Sequence, residues 1–312
     1  MSAVIGVDVG GGHIACAAVS LPDGEIVGAS ECRRAVDNKA GKDEILRCWS
    51  EGIAHSISHS GDLPVIGIGF AMPGPFDYRT GTALFEGNDK YDALYGIDVE
   101  QALASNFGGL PPMRFINDAT AFGVGATWRG GANGQCLAAG YRTIAVTLGT
   151  GFGSAFIDAD KPVTTGSSVP EHGCLWHLPF GSGIADDYIS TRWFVREFAA
   201  IRGWRAEGVR EIAELAHEDT ELQSLFVQFG DNLTSVLLPW IRQFSADVLI
   251  IGGNVAGAYD LFSGPLRAAM SKYRMKVVVE VNTQTESTAL RGGARLFDDS
   301  FWKKVCDELP QR

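Results

Sequence analysis

The sequence predicts an α/β protein built from two similar halves. Three observations carry that prediction. A strand, glycine-turn, strand unit occurs near the start of the chain and again near its middle. Apolar runs of strand length alternate with amphipathic helical stretches along the whole sequence. The 312 residues, 46% hydrophobic and 20% charged, are enough for two cored domains. The repeat is direct: the segment Ile5-Gly-Val-Asp8-Val-Gly-Gly-Gly-His-Ile-Ala-Cys16 falls on Ile144-Ala-Val-Thr147-Leu-Gly-Thr-Gly-Phe-Gly-Ser-Ala155 without a gap, at a constant offset of 139. Gly10 meets Gly149, Gly12 meets Gly151, and Asp8 meets Thr147. Glycine tolerates positive φ, so consecutive backbone N–H groups can point into one concavity that takes phosphate oxygens. One such turn alone reads as an ordinary hairpin; two of them suggest paired phosphate loops.

Charge and composition exclude other classes. A net charge of −11 and a pI near 5.0 are the opposite of a nucleic-acid footprint, and no Lys/Arg cluster offsets them. The first residues carry no basic segment, and no apolar run approaches the roughly 20 residues of a membrane helix, so a cytoplasmic protein without membrane partners is expected. Cys16, Cys32, Cys48, Cys136, Cys174 and Cys306 show no framework spacing, which fits reduced thiols.

Taken in order, Met1–Ala29 reads as strands, with Leu21-Pro-Asp-Gly24 a turn between Ile14–Ser20 and Glu25–Ala29. A strand therefore follows the first glycines. That argues against a dinucleotide-binding Rossmann turn, which needs a helix there. Ile45, Leu46, Trp49, Ile53 and Ile57 share one face of a helix over 42–59, and Val65–Phe70 is a buried strand. Phe76–Gly87 reads as a hairpin, Asn88–Asp92 as a polar loop, Val99–Phe107 as a helix and Met113–Ile116 as a strand running into Asn117-Asp118. Asp118, at a strand end before small residues, reads equally as a helix N-cap or as a chemical group.

A glycine-rich connection (Gly130, Gly131, Gly134) precedes the second turn, and Lys161–Gly183 is a long loop carrying Glu171-His-Gly-Cys-Leu-Trp-His177. Helices are predicted over Ile184–Ile201, Val209–Ala216 and Glu221–Phe244, the last bent or interrupted at Pro239. Val248–Ile251 is a strand that ends in the glycine turn Gly252–Gly257. Leu261–Tyr273 (helix), Val277–Val281 (strand) and Ala289–Phe297 (helix) complete the pattern.

These pieces in this order resemble the ROK family of sugar kinases and sugar-responsive regulators, within the actin/Hsp70/hexokinase superfamily. The resemblance covers nearly the whole chain. It is carried by Gly6-Val-Asp8-Val-Gly-Gly11, Met72-Pro-Gly-Pro-Phe-Asp77, Glu86-Gly-Asn88, Ile116-Asn-Asp118-Ala, Leu148-Gly-Thr-Gly-Phe-Gly153, Glu171-x-Gly173, Ile250-Ile-Gly-Gly-Asn254 and Ala289-Leu-Arg-Gly-Gly-Ala294. It implies two ribonuclease-H-like, actin-like ATPase domains, each a mixed sheet flanked by helices, with a cleft between them. Residues 1–118 plus 297–312 would form the N-terminal sugar kinase domain and 119–296 the larger C-terminal one.

By matching position, the resemblance makes Asp118 the base that takes a proton from a sugar hydroxyl attacking the γ-phosphorus. Asn88, Asn117, Glu171, Cys174 and Asp186 would line the sugar. Asp8 would hold Mg²⁺ through water. Gly10, Gly11 and Gly12 with Thr147, Gly149, Thr150 and Gly151 would cradle the phosphates of ATP, and Gly252, Gly253 and Asn254 would pack on adenosine.

The chain departs from the family's pattern at four places. Gly12 stands where the family usually has Thr or Ser, and His13 where Lys or Asn is frequent. Glu171-His-Gly-Cys174 replaces Glu-x-Gly-His, so Cys174 takes the histidine's place. The cysteine-rich zinc segment is absent, with Asp186 where a second sugar-binding Glu would be. The structural zinc is expected to be lost, although His172, Cys174 and His177 form a ligand-rich stretch. The implied reaction is ATP- and Mg²⁺-dependent phosphorylation of a hexose or N-acetylhexosamine, glucokinase-like, with a sugar and a nucleotide as partners and a homodimer left open. The rivals are inorganic polyphosphate as donor, and a sugar-binding or regulatory protein without efficient turnover. A DNA-binding regulator would need a helix-turn-helix ahead of a glycine turn whose strand begins five residues in.

Overall fold

In a computed structural model, which describes residues 1–87, 90–105, 109–128 and 140–306, the elements run β1 (Ser2–Val9), β2 (His13–Leu21), β3 (Cys32–Ala35), α1 (Lys42–Ser58), β4 (Val65–Met72), β5 (Phe76–Asp77), β6 (Thr82–Ala83), α2 (Val99–Ala104), β7 (Met113–Asn117) and α3 (Asp118–Thr127). They continue as β8 (Arg142–Leu148), β9 (Phe152–Asp158), β10 (Lys161–Pro162), β11 (Pro179–Phe180), β12 (Gly183–Ile184), α4 (Thr191–Arg202), α5 (Val209–Ala216), α6 (Thr220–Phe244), β13 (Val248–Gly252), α7 (Tyr259–Lys272), β14 (Val278–Val281), α8 (Thr285–Arg295) and α9 (Asp299–Val305). No helix among the described residues is long and apolar enough to cross a membrane.

The chain divides into two units, one formed by residues 1–139, 160–162 and 286–312 and the other by 140–159 and 163–285. The sequence reading put the boundaries at 118 and 297. The first unit reaches further because α3 and α8 pack on each other: a Cβ on Gly125 would overlap Thr288 O, and one on Gly292 would overlap Ala121 O.

In the first unit the sheet order is β3-β2-β1-β4-β7. β1 pairs antiparallel with β2 and parallel with β4, which is parallel to β7. β1, β2 and β4 are almost wholly buried apolar runs, as strands covered on both faces must be. One cover is α1, whose buried face holds Ile45, Leu46, Trp49 and Ile53. The other is α8, and glycines let it approach: Cβ atoms on Gly6 and Gly69 would overlap the backbone of Leu290 and Gly293. The C-terminal segment is held by buried Arg295, which pairs with Asp160 at 3.3 Å and lies 4.3 Å from the Phe301 ring. The Arg114 guanidinium sits 4.1 Å from the Trp302 ring.

The second unit repeats the arrangement. β8 pairs antiparallel with β9 and parallel with β13, and β13 is parallel to β14. The hairpins differ by one residue: Gly10 to His13 lie between paired Val9 and Ile14, but only Gly149 to Gly151 between paired Leu148 and Phe152. The gapless alignment therefore holds for the outgoing strands and slips by one on the return. The core here is aromatic, with Trp193, Phe194, Phe198, Phe226, Phe229 and Phe262 buried from α4, α6 and α7.

Other differences from the sequence reading are local. The third strand is Cys32–Ala35, and Glu25–Ala29 contributes a single bridge, Val19 to Ile26. The helix expected from Ile184 begins at Thr191, capped by Ser190, after a turn in which the Asp187 carboxylate accepts from Ile184 N at 3.0 Å. α6 runs through Pro239 without a break. The glycine connection at 130–134 and the end of the helix predicted to 107 lie outside the described residues.

Seating α8 by glycine gives a test. Gly292→Ala should lower the free energy of unfolding by roughly 1–3 kcal/mol even against the better helix propensity of alanine. Gly12→Ala, whose Cβ would enter open space, should stay within about 0.5 kcal/mol of the parent. Urea titration of both variants decides it, and equal stabilities would mean α8 is not held by close approach.

Candidate active site

The first glycine turn leaves β1 after Val9, one residue beyond Asp8, and enters β2 at His13. Gly10 N donates to His13 O at 2.9 Å, and no acceptor among the described residues takes the N–H of Gly11 or Gly12. His13 does not project freely. Its ring folds over Gly10, close enough that a Cβ there would collide with it, and its Nε2 lies 3.0 Å from Glu286 Oε2. Arg33 Nε donates to the same oxygen at 3.0 Å. Glu286 stands in the first turn of α8, so the helix that the glycines seat delivers a carboxylate to the phosphate turn.

Asp8, His13 and Glu286 bring one ligand atom each to within 4.8 Å of one another. This is the three-ligand group that could hold a cation among the described residues; His172, Cys174 and His177 are not brought together in that way. Burial pushes the Asp8 carboxyl up to about 8, with the negative charges of Asp118 and Glu286 adding to the rise and Arg33 opposing it. His13, bonded to Glu286, holds the Glu286 carboxyl below its ordinary range, and Arg33 assists.

At the end of β7 the two candidate roles of Asp118 separate. Asn117 is the helix cap: its Oδ1 accepts from Thr120 N at 3.1 Å. Its Nδ2 donates to Asp118 Oδ1 at 3.0 Å and to the Tyr78 hydroxyl at 3.3 Å. Asp118 Oδ1 also accepts from Ala119 N at 2.8 Å, and none of the described residues bonds its second oxygen. Burial raises the Asp118 carboxyl above its ordinary value, with those hydrogen bonds and the charge of Lys90 pulling the other way. Asn88 lies outside the described residues.

In the second unit Gly149 N donates to Gly151 O at 3.0 Å, and Thr191 N, at the start of α4, donates to Gly149 O at 2.8 Å. The Asp186 carboxylate pins this turn. Its Oδ1 accepts from Phe152 N at 2.6 Å, and its Oδ2 pairs with Arg192. Both oxygens of this expected sugar ligand are thus engaged, one by the second glycine turn and one by Arg192 on α4. Thr147, next to the end of β8, pairs with Gly252, so the Gly149–Gly151 and Gly252–Asn254 turns leave neighbouring strands at the same end. Gly253 has φ +88° and a Cβ there would overlap the backbone of Leu148, so only glycine fits; its N–H donates to Thr285 Oγ1 at 2.6 Å.

Glu171 is exposed in a short turn with His172 at φ 57°, and His172 Nε2 lies 3.7 Å from Glu171 Oε1. Cys174 Sγ donates to His172 O at 3.6 Å. Buried Ser154 on β9 holds this turn, donating to Gly173 O and accepting from Leu175 N, both at 2.9 Å. Ser154, Glu286, Arg33 and Arg192 were not singled out by the sequence reading. Ser154 had a visible signal, a lone hydroxyl in an otherwise small and apolar strand.

A model of the ROK family matches residues 4–299. The chain belongs to the ROK family. It is similar to a glucokinase of Thermotoga maritima, 27% identical over 294 residues that cover 87% of this chain and 88% of that one. Among solved structures it resembles a ROK hexokinase from Thermus thermophilus, with a TM-score of 0.73, 19% identity and coverage of 98% of this chain and 99% of that one. It also resembles a ROK family glucokinase from Streptomyces griseus in complex with glucose and AMPPNP, with a TM-score of 0.71, 22% identity and coverage of 95% and 99%. The fold is the two-domain actin/Hsp70/hexokinase-like one, with a mixed sheet and flanking helices in each unit.

The environment of Asp8 makes this ROK chain's stability depend on pH. A carboxyl whose folded pKa lies above its unfolded value binds its proton more tightly when folded, so stability is lost as pH rises from about 4 through about 8. In EDTA, the melting temperature of Asp8→Asn relative to the parent should therefore climb between pH 5 and 8 and level off above that. A difference independent of pH would show that Asp8 is not desolvated among carboxylates.

Proposed function

We propose that this ROK-family chain is a carbohydrate kinase that moves the γ-phosphoryl group of ATP to a hydroxyl of a hexose or N-acetylhexosamine, with Asp118 as the general base. One observation carries the reading: Asn117, not Asp118, caps α3, which leaves an oxygen of the half-buried Asp118 carboxylate without a partner among the described residues at the end of β7. Burial that raises the Asp118 carboxyl above its ordinary range makes its carboxylate a stronger base than an exposed aspartate, because it holds an abstracted proton more readily. In the reaction the sugar oxygen forms a bond to the γ-phosphorus, the bond from that phosphorus to the β,γ-bridging oxygen breaks, ADP leaves with the electron pair, and the hydroxyl proton passes to Asp118.

The residues fit a hard divalent cation. Asp8 and Glu286 offer oxygen ligands, and the crowding that raises Asp8 is relieved by positive charge. Asp8 would hold Mg²⁺ through water, and the ion would neutralise charge on the donor phosphates. Asn117 fixes Asp118 by donating to Oδ1, and the second oxygen has no partner among the described residues. Glu171, Asn88 and Cys174 remain the proposed sugar contacts, with Ser154 holding the Glu171 turn. For Asp186 the geometry favours another task, fixing the second phosphate turn.

A coupled ADP-release screen over hexoses and N-acetylhexosamines tests the activity. On the best substrate, Asp118→Asn should lower kcat by roughly 10²–10⁴ while sugar affinity stays within a few-fold. An unchanged kcat would remove Asp118 from the chemistry. A screen with no turnover but measurable sugar binding would favour the non-catalytic alternative.

A further inference from the structure

The first phosphate turn has bare N–H groups but no cationic side chain of its own. Gly12 contributes none, and His13 is folded over Gly10 and bonded to Glu286. Arg33 is also drawn to Glu286. A cation comes instead from a distant segment. Lys90 Nζ lies 3.1 Å, and its Cε 3.4 Å, from the point where a Cβ on Gly11 would stand, so the ammonium rests beside Gly11 in the turn.

The placement is built in. Tyr91, next in sequence, is 1% exposed, and its hydroxyl donates to Gly10 O at 2.7 Å. Its N–H donates to Asn38 O at 2.8 Å, and Asn38 in turn bonds Gly11 O through Nδ2. Tyr91 takes a left-handed conformation, φ 59°, which a non-glycine residue adopts only when its surroundings hold it there. Here they do: its ring packs edge-on against Trp49 with centroids 5.5 Å apart, and against Phe85 at 5.7 Å. The carbonyls of Gly10 and Gly11 are thereby tied up by Tyr91 and Asn38, while the N–H groups of Gly11 and Gly12 stay open beside an ammonium. Acceptors are capped and donors are left, which suits an anion.

We propose that Lys90 is a catalytic residue that binds the phosphoryl tail of the donor over Gly11 and Gly12, supplying the positive charge that positions 12 and 13 do not. The assignment rests on the phosphoryl-transfer reading above and deepens it. The ligand chemistry is a chain of phosphates, shared by ATP and inorganic polyphosphate. Lys90 also acts electrostatically on Asp118, the base that must work beside the transferred group.

The test uses full-length protein and inorganic tripolyphosphate as the binding probe, titrated by calorimetry against the parent, Lys90→Met and Lys90→Arg, with melting temperatures as the check on folding. Lys90→Met should weaken tripolyphosphate at least about tenfold, the usual worth of one charge-assisted hydrogen bond, and Lys90→Arg should restore most of it. In steady state, Lys90→Met should raise KM for the donor and lower kcat while leaving KM for the sugar unchanged. Running ATP and inorganic polyphosphate in parallel shows which donor relies on Lys90. Tripolyphosphate binding unaffected by Lys90→Met, or equal damage from both variants together with lost sugar binding, overturns the proposal. A chain that phosphorylates no sugar yet binds tripolyphosphate through Lys90 would refute the kinase reading and leave this phosphate site standing.

Discussion

The first unit depends on how closely α8 approaches its sheet. Side chains at Gly6 or Gly69 would overlap the backbone of α8, and side chains at Gly125 or Gly292 would overlap backbone across the contact between α3 and α8, so at these points backbone lies against backbone, while Leu290 packs on Ala15 and Ala17 beside them. Such contacts gain dispersion energy from many close atoms and tolerate almost no added volume. They also fix the helix along its axis. Because the fit is set at positions 288 to 293, the first turn of α8 has little freedom, and Glu286 is delivered to the end of β1 beside Asp8 and His13. Packing and chemistry are thus one constraint: loosening the helix would move a carboxylate out of the site.

That delivery has an electrostatic cost. Asp8, Asp118 and Glu286 repel one another in a partly dehydrated place, and each added negative charge makes the others harder to ionise. A fold selected for stability alone would not gather them. The balancing cations come from separate segments, Arg33 from β3 and Lys90 from the loop ahead of α2, each placed by the structure around it. A site that carries excess negative charge at its base and open N–H groups with an ammonium at its rim is suited to a metal–polyphosphate ligand, whose cation and anion satisfy the two regions together.

Much of the fold was legible because periodicity and glycine punctuation are local signals. The buried face of α1, the strands β1, β4 and β13, and the long helix α6 were all visible as patterns of apolar residues. What escaped was decided by tertiary partners. Asn117 and Asp118 are both competent caps in sequence, and only the hydrogen bond from Thr120 N to Asn117 frees the neighbour. Asp186 and Asp187 look equivalent, yet one holds the second phosphate turn and the other closes a local turn on Ile184. Glu286 lies ahead of the helix predicted from Ala289, which in fact starts at Thr285, and nothing near it in sequence shows that β1 lies beside it. Lys90 and Tyr91 sit in a stretch that reads as polar loop, since the 81-residue separation from Gly10 hides their partner.

The repeat shows how one scaffold takes two fittings. Both hairpins turn through glycines and both present adjacent N–H groups that no described residue accepts, a backbone geometry suited to anions and common to the two units. Their supports differ in sign and rigidity. The first turn has one residue more, and it is surrounded by carboxylates with a lysine resting beside it, which suits a ligand that arrives with a divalent cation. The second is shorter and held from both sides, by Asp186 on Phe152 N and by the start of α4 on Gly149 O, and lies at the strand end it shares with the Gly252–Asn254 turn. Aspartate occupies position 8 where the second unit has Thr147, and that exchange contributes to the difference in charge at the two strand ends. The duplicated backbone presents the same glycine turn twice, and the side chains around each turn differ: a carboxylate group that could hold a cation at the first, and a shape-holding aspartate at the second.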